Sequence, residues 1–432
     1  MRTTLDGALL TTIAAQLSPA EDEPTATGRQ PVHTCYVPAD RVDADLPARW
    51  GEAALAALAE HAPTPAALAA VVGLPPDLAP TVYERVTAKL AAEPVEDLRI
   101  DFEDGYGVRD NQTEDDHACA AADLLAGWGL ASAGLRVKSF DTTASLLRSV
   151  RTLDLVLTHL GDPQRPTSAG LSQPPPDNLA AGGRTLTPGF TVTFPKVTDR
   201  AQVSAFAEVL DVLEERLDLR PGVLRFEIQI ETPRSVVAAD GRLAVPGLIT
   251  AGRGRVSGLH FGTYDYTAAL GLSAADQHLA HAACDFARHV MQVGAAGTGV
   301  RLSDGSSNVL PTGDPAAVRH GWQTHYRLVR RSLRHGFFQG WDLHPAQLVT
   351  RYAAVFTHHM ENADADAHRL AAYLDSASGS VQDEPATAAA LAGSLLRAVD
   401  CGALSADEVA DRCGLSPAEL TALTERRGLV RR

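Results

Sequence analysis

The chain has no apolar run approaching the roughly 20 residues that a membrane-spanning helix needs. Its first residues, MRTTLDGALLTTIAAQL, have no basic segment followed by an apolar core and a cleavage site, so a cytoplasmic protein, neither exported nor anchored, is expected. Cysteine is sparse. Cys35, Cys119, Cys284, Cys401 and Cys413 are odd in number, scattered and without CxxC spacing. That argues against both a disulfide framework and a cysteine zinc site, and fits a reducing compartment. Positive charge is short as well: 38 Lys and Arg against 53 Asp and Glu leave a net charge of −15. Such a surface argues against general binding of nucleic acid or another polyanion, and any anionic substrate then needs a local Arg, Lys or metal ion. There is no internal repeat and no GxxxxGK[ST] phosphate loop.

What the chain does have is alternation. Short apolar runs at His33–Val37, Asp97–Phe102, Leu135–Ser139, Thr191–Pro195, 224–230, Leu259–Phe261, Val300–Ser303 and Gly340–Leu343 are separated by stretches of helical periodicity. Eight strands alternating with helices predict an α/β fold, a (β/α)₈ TIM barrel over residues 31–345. An Ala- and Leu-rich helical insertion is expected at 46–93 and a Pro/Gly/Ser-rich loop at 161–190. A helix and polar linker at 1–30 and a helical region at 346–432 complete the chain. The segment LSADEVADRCGLSPAELTALTERRG has a helix, turn, helix cadence. Its acids dilute its arginines, so the expectation is a packing hairpin, with no nucleic acid as partner.

The most informative stretch is Arg225 to Gly271. Side chains on a strand repeat every second residue, which puts Glu227, Gln229 and Glu231 on one face. Glu231 ends its strand at Thr232-Pro233, and the next strand ends in Gly262-Thr263-Tyr264-Asp265. Two carboxylates therefore stand at the carboxyl ends of successive strands, where barrel active sites form. Hard oxygen ligands of this kind suit Mg²⁺, with Mn²⁺ the alternative.

In order along the chain, YVPAD (36–40), DFEDGYG (101–107), RVKS (136–139), TFPKV (193–197), IQIET (228–232), GTYDYTAALG (262–271) and DLHPAQ (342–347) fall at the predicted strand ends. Together they resemble the superfamily of citrate lyase β subunits and HpcH/HpaI metal-dependent 2-oxo-acid aldolases, and more distantly malate synthase. The resemblance implies a Mg²⁺-dependent lyase or aldolase acting on a pyruvate- or glyoxylate-type oxo acid through a metal-stabilised enolate. It assigns the metal to Glu231 and Asp265 and the substrate's carboxylate or carbonyl side to Arg136. Gln229, Gly262 and Thr263 would line the substrate. Asp101, Glu103 and Asp104 would lie near the metal through water, with Glu103 or Asp104 as the proton-transfer group. A CoA thioester is the alternative substrate, by citryl- or malyl-CoA lyase or malate-synthase-like chemistry, and a homo-oligomer is implied. The chain departs from the family at Arg136-Val137-Lys138, where the lyases have Arg-x-Asn.

Other readings stand beside these. Glu231 and Asp265 as strand-end and turn acids, or Arg136 as an ion-pair residue, would be purely structural. Lys138 or Lys196 could serve a metal-free imine aldolase. His344 is read as loop packing or site lining, and Asp304 as a helix cap or a site acid. From a different class comes a non-catalytic helical binding or regulatory protein.

Overall fold

A computed structural model describes residues 28–160, 186–187, 189–374 and 385–425. Eight parallel strands form the sheet: β1 Thr34–Pro38, β2 Asp97–Asp101, β3 Ser132–Arg136, β4 Phe190–Phe194, β5 Arg225–Ile230, β6 Val256–Phe261, β7 Arg301–Ser303 and β8 Trp341–Asp342. Their order, β7-β6-β5-β4-β3-β2-β1-β8, is the sequential order of a barrel. The seam between the end strands is drawn together where Ser303 bridges Gln339 and the Asp304 amide donates to the Gln339 carbonyl at 2.9 Å.

Three helices follow β1: α1 Leu46–His61, α2 Pro65–Val72 and α3 Ala79–Ala92. The connections after β2 to β5 carry α4 Asn111–Gly127, α5 Thr143–Leu160, α6 Arg200–Arg216, and the pair α7 Pro233–Val236 and α8 Val245–Ala251. After β6 come α9 Thr263–Ala269 and α10 Ala282–Ala295, and α11 Pro315–Arg334 precedes β8. The 30-residue α12, Pro345–Leu374, then packs on α1, α3 and α11 and carries α13 Pro385–Asp400, α14 Ala406–Cys413 and α15 Pro417–Thr424. The two short C-terminal helices open with Ser405/Glu408 and Ser416/Glu419 capping boxes and dock back on the insertion through Arg85, which donates to Glu408 at 2.6 Å. No single helix among the described residues is long and apolar enough to cross a membrane. All five cysteines are free thiols. The predicted N-terminal helix and most of the 161–190 loop lie outside the described residues.

Two strands differ from expectation for one reason. β3 starts and ends three residues before the predicted Leu135–Ser139, and β6 starts at Val256 and not at Leu259. Each expected start falls just after a glycine, Gly134 or Gly258, that marks a close approach inside the strand. A Cβ on Gly134 would lie 1.7 Å from the Thr191 carbonyl oxygen, and one on Gly258 would lie 3.3 Å from Glu227 Cγ.

The helix-facing residues of the strands, including Leu98, Ile100, Leu135, Val192, Phe226, Ile228 and Leu259, are fully buried. The barrel interior is charged instead. Arg99 is fully buried between Asp97 and Glu227, donating from Nη1 to Asp97 and from Nη2 to Glu227 at 2.7 Å. Thr193 donates to the other Glu227 oxygen at 3.0 Å, and His260 Nε2 lies 3.2 Å from it. Trp341 Nε1 donates to His260 Nδ1 at 3.0 Å, which leaves the ring proton on Nε2, facing Glu227. Burial opposes the charge on Glu227, but Arg99 and His260 hold its carboxyl well below the usual range.

Candidate active site at the carboxyl end of the barrel

The barrel's polar interior opens at the strand ends into a cluster built on one hub, Asp101. Its Oδ1 accepts from Arg136 Nε at 2.7 Å and from the Glu103 amide at 2.9 Å. Its Oδ2 accepts from Arg136 Nη2 at 2.7 Å and from the Gly105 amide at 3.0 Å. The residue expected near a metal is thus the clamp that fixes both the DFEDG loop and the arginine. Arg136 is buried, stacks over Tyr36 with its guanidinium 5.1 Å from the ring centre, and sets Nη1 3.3 Å from Glu103 Oε2. Burial works against its charge, while Asp101 and Glu103 hold it firmly protonated.

Glu231 is 1% exposed at the end of β5. Its Oε1 accepts from the backbone amide of Lys196 at 2.6 Å and its Oε2 from Gln229 Nε2 at 2.5 Å. The amide reaches it because Lys196 has a left-handed backbone, φ 52°, a conformation that costs a non-glycine residue energy and recurs at functional sites. The same conformation turns the Lys196 side chain across the mouth. Its Nζ lies 2.7 Å from Asp104 Oδ2, 3.0 Å from Glu103 Oε1 and 3.4 Å from Asp265 Oδ2. Four carboxylates, Glu103, Asp104, Glu231 and Asp265, thus surround Lys196.

The electrostatics follow from this crowding. Burial first, with Lys196 opposing and Asp265 and Glu103 repelling, raises the Glu231 carboxyl to about 8. Burial and Asp104 also raise Glu103, against the pull of Arg136 and Lys196. Asp104 moves the other way: burial resists, but the Lys196 hydrogen bond and charge hold its carboxyl low. Neighbouring acids pushed apart in this way divide proton-donor and proton-acceptor roles. Lys196 itself is raised by Glu103, Glu231 and Asp104, despite burial. An ammonium so held lacks the free amine that imine chemistry needs. Lys138 is tied to the carbonyls of Phe102 at 2.6 Å and Gly107 at 3.3 Å and to Glu114 at 3.3 Å.

Gly262 contributes space. Its φ of −97° suits any residue, but a Cβ there would lie 2.3 Å from Glu231 Cβ and 2.6 Å from Oε2. Thr263 is buried, and its hydroxyl, without a partner, lies 2.3 Å from where a Cβ on Gly305 would stand. Gln229 is 1% exposed, and its Oε1 has no donor. His344 Nδ1 accepts from the Ala346 amide at 3.2 Å, a capping role. Asp304 is a buried anchor, accepting from Arg288 at 2.8 Å and Ser332 at 2.5 Å, and so neither a helix cap nor a mouth acid.

The structure thus brings Glu103, Asp104, Arg136, Gln229, Glu231 and Asp265 to one mouth. Sequence reasoning missed the central place of Lys196, since a backbone turning left-handed leaves no trace in TFPKV. Among the described residues no group of three or more His, Cys, Asp or Glu side chains is disposed to hold a metal ion. Mg²⁺, however, is commonly held by one or two carboxylates with water and substrate oxygens filling the remainder. Glu231 and Asp265 are donors of the right hardness. Glu231, proton-retaining because it is buried and because Asp265 and Glu103 repel its charge, is the kind of carboxyl that a cation relieves.

Several solved structures are similar to this barrel. A citrate lyase from Burkholderia xenovorans LB400 matches with a TM-score of 0.50 at 17% identity, over 76% of this chain and 92% of its own. The malate synthase of Haloferax volcanii, as a lead(II) complex, matches at 0.49 and 14%, over 92% and 98%. The CitE protein of Mycobacterium tuberculosis, in complex with magnesium, acetoacetate and coenzyme A, matches at 0.47 and 18%, over 87% and 98%. At these identities the likeness is one of fold alone. No curated protein matches the chain. Residues 14–428 match the family described as Domain of unknown function (DUF6986), and the chain belongs to that family.

Proposed function

We propose that the protein is a carbon–carbon lyase or aldolase for a small 2-oxo acid of the pyruvate or glyoxylate type. It would work with a divalent cation, Mg²⁺ or Mn²⁺, held by Glu231 and Asp265. The observation that carries this reading is the convergence of four carboxylates on Lys196 at the carboxyl end of a barrel, Glu103, Asp104 and Asp265 on its ammonium and Glu231 on its backbone amide. In this reading Lys196 Nζ stays with Glu103 and Asp104, its shorter contacts, and gives up Asp265. When bound, the cation would act as a Lewis acid toward the oxo acid's carbonyl and carboxylate oxygens.

The chain's own residues then have distinct tasks. Arg136 spends Nε and Nη2 on Asp101, so only its Nη1 edge meets the substrate carboxylate, and the grip is single. Glu103, beside that edge, moves the proton at the carbon next to the carbonyl, and Asp104 with Lys196 sets its charge. Gln229 holds Glu231 in place, and its free Oε1 accepts from a substrate hydroxyl. The resulting enolate carbon attacks an aldehyde or oxo acid in one direction and is the leaving carbon in the other.

The test asks for enolisation alone and needs no knowledge of the acceptor. With Mg²⁺ in D₂O, the protein is expected to exchange the methyl protons of pyruvate, followed by proton NMR. Glu231→Gln, Asp265→Asn and Glu103→Gln should each slow exchange by about 100-fold or more, the usual scale for a proton-transfer group. No exchange by the parent protein, or full exchange by the Glu103→Gln variant, would remove the corresponding part of the proposal.

A further inference from the structure

A second concentration of charge lies away from the mouth and has the opposite sign. A cleft of about 850 Å³ runs between the end of α2 and the last turns of α11. Those turns lead toward the amino end of β8, and none of the mouth residues lines the cleft. Arg327, Arg330, Arg331, Arg334 and His335 line one side, and Glu361 of α12 is the one acid in the lining. Val71, Val72, Pro75 and Tyr326 form an apolar wall.

Some of this charge has a structural explanation. Basic residues in a last helical turn favour the helix dipole. Arg331 also donates to both oxygens of Asp285, at 2.8 and 2.7 Å, and Arg330 Nη2 donates to Glu361. The remainder is unexplained. Arg330 is 94% buried, at 6% relative exposure, yet its Nη1 has no acceptor, and Arg331 Nη1 has none either. A buried donor without a partner is costly, more so when charged, so its persistence points to an acceptor that comes from outside. Arg327 and Arg334 are exposed and donate to no acceptor among the described residues. The local field is positive enough to be felt nearby. Burial first, then Arg331, lowers the His335 imidazole, and burial, then Arg330, lowers His358 to about 4.

On a chain of net charge −15 this cleft is a local concentration of positive charge, and a guanidinium cluster is the group that binds phosphate through paired hydrogen bonds. The volume lies within the roughly 300–1,000 Å³ of small-molecule sites. We propose that this cleft binds a nucleoside polyphosphate, with the phosphates on Arg327, Arg330, Arg331 and Arg334 and the base against Val71, Val72 and Tyr326. None of the mouth residues lines the cleft, which makes the occupant an effector and not a substrate.

Isothermal titration of the full chain with ADP, without divalent cation and at fixed ionic strength, is expected to show one saturable site per chain. Inorganic pyrophosphate should compete but bind more weakly, because it leaves the apolar wall empty. The Arg327→Ser, Arg334→Ser double variant, whose side chains carry no packing, should weaken ADP by about tenfold or more, roughly one charge-assisted contact. The buried Arg330→Met change should do the same, and if it does not fold the surface pair decides. Pyruvate exchange should be unaltered in the surface pair. Absence of saturable ADP binding, unchanged ADP affinity in the double variant, or pyrophosphate binding as tightly as ADP would overturn the proposal.

Discussion

Glycine at 262 shows how a single missing methyl group shapes the mouth. Its backbone angles are ordinary, and the demand is for room beside Glu231, 2.3 Å from where a Cβ would stand. Gly262→Ala is therefore expected to cost about 1–3 kcal/mol in denaturant unfolding through overpacking. It should also displace Glu231 and abolish the rise in melting temperature that the proposed Mg²⁺ site is expected to give the parent protein. Such a rise reflects ligand binding to the folded state only, about 2.7 kcal/mol at a hundredfold excess over Kd. A variant that keeps the full Mg²⁺ shift would mean that Glu231 is not needed for the ion. At this scale the site was partly legible. Glu231 and Asp265 could be placed at strand ends from alternation and turn residues alone. Asp101 and Lys196 could not, because their roles depend on which partner a carboxylate or amine reaches across three strands. Arg136 was expected at the substrate's carboxylate or carbonyl side, and the prior claim of Asp101 on its guanidinium is a tertiary fact.

Helix α12 carries a pH sensitivity of its own. His359 is 4% exposed, and burial, with repulsion from His358 and Arg397, lowers its imidazole to about 3. Its neighbour His358 is lowered to about 4, mainly by burial. In the unfolded chain both titrate near about 6.5. Between those values the unfolded chain takes up protons that the folded one refuses. Their contribution to stability is thus complete above about pH 6.5 and is lost as pH falls toward the folded values. His359→Phe is expected to flatten the fall of the urea midpoint between about pH 6.5 and 4, and an identical slope would rule the residue out as its source. Element boundaries taught a related lesson. β3 and β6 were misplaced at Gly134 and Gly258, since a glycine that makes room inside a strand looks, in one dimension, like a glycine that ends it. The α10 start at Ala282 has a local cause: the His281 side chain accepts from the Ala283 amide at 3.2 Å.

As a whole, the eightfold alternation of strand and helix was readable because outward-facing strand residues are aliphatic and surface helices are amphipathic. The barrel interior was not. Arg99 and Asp97 read as ordinary polar residues at a strand, and their meeting with Glu227 and His260 comes only from closure. Arg99→Met should leave two buried carboxylates without their cation and cost about 3–5 kcal/mol in denaturant unfolding. Pairing it with Glu227→Leu should cost less than the two single losses added together. Strict additivity would show that these residues do not act as a unit. A tube lined with interlocking ions has a consequence for how its lineage can drift. An oily interior tolerates exchanges one at a time, whereas here each position holds its neighbours hostage. Change at 97, 99, 227 and 260 should come in concerted sets, making this ring a slow clock beside the faster turnover of the outer helices.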